Sequence, residues 1–91
     1  MRPSVARMPD YLVEVFQPSL RESDVAAISA RARLAAEELA REGIPVGYLR
    51  SIYVPGDESC FHLFAGPSLA AVTEASRRAQ LDPERIVEAL Q

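Results

Sequence analysis

Cysteine and histidine are almost absent from this 91-residue chain, which has one of each, Cys60 and His62. A lone cysteine excludes an intrachain disulfide and suits a reducing cytoplasm. Lysine is missing altogether: the ten basic residues are all arginine, and thirteen acids outnumber them for a net charge of −3. That balance offers no positive footprint for nucleic acid or for an anionic membrane surface. Long apolar runs are lacking too. The opening MRPSVARMPD therefore reads as neither signal peptide nor membrane span, but as a flexible arm over residues 1–9 ahead of one domain over residues 10–91. Repeats, linkers and low-complexity segments are also missing, so the expectation is a cytoplasmic protein with no nucleic-acid and no membrane partner.

The residues present are ordinary for a globular domain: 48% are hydrophobic and 25% charged. A chain of this length holds one modest core, and burying a sheet face against a second copy is a direct way to gain stability.

YLVEVFQ, Tyr11 to Gln17, is rich in β-branched and aromatic residues and reads as a strand. Ser19 is a candidate N-cap, with Glu22 three residues on as in a capping box. Val25, Ile28, Ala32, Ala35 and Leu39 then recur at steps of three and four, one apolar stripe on a long helix that Gly43 ends. VGYLRSIYV, Val46 to Val54, and ESCFHLFA, Glu58 to Ala65, flank the turn PGDE and predict a hairpin. A second helix starts near Ser68 with Leu69, Val72, Ala75 or Ser76, and Ala79 inward, and RIVEALQ is a short last strand. The order β-α-β-β-α-β with right-handed crossovers predicts an α+β, ferredoxin-like fold: a four-stranded antiparallel sheet, order 4-1-3-2, with both helices on one face.

Strand parity sorts the residues of the uncovered face. Purely aliphatic or small sets suit the helix-covered side. The sets carrying Glu14, Arg50, His62 and Glu88 are therefore expected on the open one, with Leu12, Phe16, Tyr48, Ile52, Cys60, Phe64, Ile86 and Leu90. A bulge in any strand would invert part of this assignment. A face so apolar is expected to close over the same face of a second subunit, enclosing a cavity.

Cys60 and His62 stand two apart on one strand, so their side chains share a face. With Glu14 from the neighbouring strand they form a candidate set of ligands for nickel, copper or zinc. The plainer reading is a buried thiol beside a hydrogen-bonded histidine. Glu14, Tyr48, Arg50, His62 and Phe64 are candidate pocket residues for a small ligand. The function expected is a homodimeric binding protein holding a small ligand or transition metal at the open sheet face. The alternatives are an acid–base cavity enzyme using Glu14 and His62, or a purely structural interaction module.

Five stretches carry a resemblance: YLVEVF, the alanine-rich first helix, YLRSIYVPGDESCFHLF, GPSLAAV and LDPERI. In order and spacing they resemble a family of small, mostly actinobacterial proteins of unknown function. That family is typified by a nickel-responsive, nickel-binding protein with a dimeric ferredoxin-like fold. The resemblance runs from Pro9 onward and implies that fold, a sheet-to-sheet homodimer and a possible nickel cofactor. Glu14 matches the family's first strand. Ala65 stands where members carry an acidic residue, and Ala75 or Ser76 where they carry a histidine, which implies weak or no nickel binding.

Overall fold

β1 spans Asp10–Phe16, and its alternation of buried and half-buried side chains is what a strand covered on one face produces. A computed structural model describes residues 8–90 of the chain. Most of the expected N-terminal arm, residues 1–7, lies outside the described residues.

The β1–α1 connection departs from the expected cap. α1 runs Glu22–Arg41 with Arg21 as its N-cap, and the Arg21 N–H donates to the Asp24 carboxylate at 3.0 Å. Ser19 instead lies in the left-handed region at φ 61°, and its N–H meets Glu58 Oε2 at 3.4 Å. A serine committed to a turn cannot also cap the helix. The helix end matches expectation: Gly43 has φ 92°, and the Ile44 N–H reaches back to the Leu39 carbonyl at 2.9 Å. This left-handed closure satisfies last-turn carbonyls and favours glycine.

β2 (Gly47–Val54) and β3 (Ser59–Ala65) form the hairpin, joined by one 3₁₀ turn over Pro55–Asp57. α2 covers Leu69–Arg78 and is capped by Ser68, whose hydroxyl accepts from the Ala71 N–H. β4 is Arg85–Ala89. All neighbouring strands pair antiparallel in the order β2-β3-β1-β4, which is β4-β1-β3-β2 counted from the other edge. The result is an α+β fold.

Both helices pack on one sheet face. Ile28, Ala32, Ala35, Ala36 and Leu39 of α1 and Ala71, Val72 and Ala75 of α2 share one cluster with Tyr11, Val13, Val15 and Phe64. The alanine stripe lets α1 lie close to the sheet. Outside the core, Arg78 ties the helices together through Glu38 on α1, Glu42 just past its end and Glu74 on its own helix. No helix among the described residues is long and apolar enough to cross a membrane.

Candidate functional site

The register places His62 opposite Val13, Phe64 opposite Tyr11 and Cys60 opposite Val15. Directly paired residues project to the same face. Cys60, His62 and Phe64 therefore lie under the helices, against expectation, each with 0% of its surface exposed. Glu14 pairs with Phe61 and Arg85 and lies on the opposite, uncovered face. The expected meeting of Glu14 with His62 does not occur, and the acid–base pair falls with it.

The same separation takes Glu14 away from Cys60 and His62 as a ligand set. Among the described residues no three His, Cys, Asp or Glu side chains are grouped to hold a metal ion. Cys60 is an enclosed thiol whose pKa burial pushes up. It fits the plainer reading of a small core residue.

Burying an imidazole requires a partner for its nitrogens. Ser51 supplies one, with Oγ 2.6 Å from His62 Nδ1, and Tyr48 OH continues the chain to Ser51 Oγ at 2.7 Å. A register shift between Tyr48 and Arg50 makes this arrangement possible. The bulge places Tyr48 on the covered face with Ser51 and leaves Arg50 and Ile52 on the open one, splitting a set that alternation had kept together. Above the relay, the Tyr48 ring meets Phe64 edge-on at 5.7 Å and carries the Arg33 guanidinium 5.2 Å from its centroid.

Nε2 of His62 has no hydrogen-bond partner among the described residues. Burial, reinforced by the positive charge of Arg31, lowers the pKa of His62 from 6.5 to about 4. The ring is neutral at neutral pH, whereas a carboxylate neighbour would have raised its pKa.

β4 is also inverted relative to expectation. Ile86 pairs with Val13 and Glu88 with Tyr11, which puts both on the covered side, while Arg85, Val87 and Ala89 face outward. The uncovered sheet face thus carries Leu12, Glu14, Phe16, Arg50, Ile52, Phe61, Leu63 and Val87. Phe16 is 51% and Ile52 49% exposed. Glu14 is held there by Arg85 Nε at 2.8 Å. Of the five pocket candidates, Glu14 and Arg50 share this face, and Tyr48, His62 and Phe64 share the other. Ser51, the residue that makes a buried His62 tolerable, was not among the candidates. Its only sequence signal is a hydroxyl three residues after Tyr48, visible once the bulge is known.

No protein-family model and no curated protein matches the chain. Among solved structures it is similar to SCO4226 from Streptomyces coelicolor A3(2), known from its crystal structure. The TM-score is 0.72 at 19% sequence identity, covering 90% of this chain and 96% of that one. At that identity the likeness speaks for a shared fold.

Proposed function

We propose that this chain is a cytoplasmic homodimeric binding protein of ferredoxin-like fold, closing its open sheet face against the same face of a second copy. The supporting observation is the half-exposed pair Phe16 and Ile52 amid Leu12, Phe61, Leu63 and Val87 on the side without helices. Antiparallel sheets that face water alternate apolar and polar residues. On this face β3 is apolar at every outward position from Phe61 to Ala65.

Four strands of this length span roughly 25 Å by 20 Å, about 500 Å² in projection. Side-chain relief brings such a face toward the roughly 800 Å² per partner of a standard interface. The polar groups on it are few. Glu14 and Arg85 neutralise each other. Arg50 has no ion pair among the described residues and is the natural anchor for a small anionic or acceptor ligand enclosed between the sheets. The nickel role of the resembling family has no matching ligand set here, because Cys60 and His62 sit beneath the helices and Glu14 outside them.

Sedimentation-velocity ultracentrifugation of the full chain tests the reading. Twice the 10.0 kDa chain mass is expected at micromolar concentration, and a monomer with native circular dichroism from Ile52→Asp. A well-folded monomer from the unmutated chain overturns the proposal. Native mass spectrometry of untagged protein reads any retained ligand in the same sample.

A further inference from the structure

On the helix side of the sheet, a cleft of about 550 Å³ opens past the end of β1, with Phe16 of the proposed dimer face at its rim. Its walls are the first half of α1 and the connection from α2 to β4. That volume lies within the range of small-molecule sites, roughly 300 to 1,000 Å³. The floor is apolar, built from Val15, Leu20 and Ile28.

Charges of both signs line the cleft. Arg31 projects from α1, and its Nε donates to the Ala79 carbonyl at 3.0 Å. That bond fixes the guanidinium at the end of α2 and leaves both terminal nitrogens without a partner among the described residues. Asp82 and Glu84 line the cleft from the other wall, and neither carboxylate has an ion pair or hydrogen bond among the described residues. Asp24 also lines the cleft, but its carboxylate is engaged by the start of α1.

The connection that carries Asp82 and Glu84 begins at Gln80, a non-glycine residue held at φ 60°. Left-handed geometry costs such a residue about 1 kcal/mol or more. It is maintained here by hydrogen bonds from Gln80 N–H to the Arg77 carbonyl and from Leu81 N–H to the Ser76 carbonyl.

An uncompensated donor fork and two uncompensated carboxylates, set over an apolar floor, are complementary to a molecule carrying both charges and an aliphatic body. We infer that this cleft binds a small aliphatic zwitterion, of the amino-acid or dipeptide class. Its carboxylate is received by Arg31, its ammonium by Asp82 and Glu84, and its side chain by Val15, Leu20 and Ile28. Arg–carboxylate recognition is directional and bidentate, while ammonium recognition by the two acids is a point-charge contact. Both ends contribute to affinity, because a ligand with one charge forgoes one of the two charge-assisted contacts.

The test is an NMR titration of the full chain, following backbone amides, with three probes that share one branched five-carbon aliphatic unit: L-leucine, 3-methylbutylamine, which lacks the carboxylate, and 4-methylpentanoate, which lacks the ammonium. L-Leucyl-L-leucine serves as a longer zwitterion. Saturable shifts confined to the amides of Ile28, Arg31, Gln80, Leu81, Asp82 and Glu84 are expected with the zwitterions. The single-charge analogues should bind at least about tenfold more weakly, the ratio for 1.4 kcal/mol. Arg31→Gln should erase the preference of leucine over the amine, and Asp82→Asn with Glu84→Gln its preference over the carboxylate. Unchanged dispersion elsewhere in the spectrum shows that these exposed variants fold. Absence of saturable shifts with both zwitterions overturns the inference. So does equal binding of the single-charge analogues, or undiminished leucine binding in the variants.

Discussion

Acid should destabilise this protein earlier than its carboxylates alone would, and His62 is the reason. In the unfolded chain the imidazole titrates near 6.5, and in the folded state burial and the nearby Arg31 hold it at about 4. The folded pKa is depressed, so the unfolded state binds the extra proton between these values. Stability from the neutral ring is complete above pH 6.5 and is lost as pH falls toward 4. A pKa unit corresponds to about 1.4 kcal/mol, which makes the whole span worth about 3 kcal/mol. Within the window from pH 6 to pH 5 the slope should approach about 1 kcal/mol. The depressed carboxylate Glu74, held at about 2 by Arg77 and Arg78, loses its contribution only at lower pH, below the ordinary glutamate value, which keeps the two effects apart. Urea denaturation at half-unit steps from pH 7 to pH 4.5 reads the slope, and His62→Gln should flatten it. NMR titration of the single imidazole reads the folded pKa directly, and Glu14→Gln should leave it unmoved because Glu14 lies across the sheet. A folded-state pKa near or above 6.5, or a flat stability profile between pH 6.5 and 5, refutes the account of a buried, half-satisfied ring.

Further outcomes follow from the packing. A Cβ added at Gly66 would stand 2.9 Å from Cγ2 of the fully buried Val72; Gly66→Ala should cost about 1 to 3 kcal/mol, seen as a lower urea midpoint with unchanged slope. Arg78→Ala leaves Glu38, Glu42 and Glu74 without their shared cation; the melting temperature should fall, and the deficit should shrink in high salt. Cys60 is enclosed and its thiol pKa raised, so Ellman's reagent should modify it at the rate of unfolding in the native protein and at once in denaturant; rapid native labelling would place it at the surface.

The order of elements, the stripe on α1 and the glycine that ends it were legible in the sequence because each depends on local spacing and backbone sterics. Ile28, Ala32, Ala35 and Leu39 lie on the buried face of α1 as their spacing implies, and Gly43 takes the left-handed turn that disfavours other residues. The apolar character of the open face was legible too, although its membership was not. Parity within a strand says which residues travel together and is silent on which set faces the helices. Polarity misled that choice, because an imidazole is buried readily once a hydroxyl meets one nitrogen, and Ser51 is eleven residues from His62 in the chain. The bulge between Tyr48 and Arg50 decided that Ser51 and Tyr48 would reach the covered side. Strand pairing then put Glu14 and His62 on opposite faces. Both are properties of chains laid side by side. The cleft arose in the same way: Arg31, Asp82 and Glu84 are drawn together only when the α2–β4 connection folds back beside α1. Periodicity along one element carries its local form, whereas the company a side chain keeps is settled by register between elements that the chain joins only at a distance.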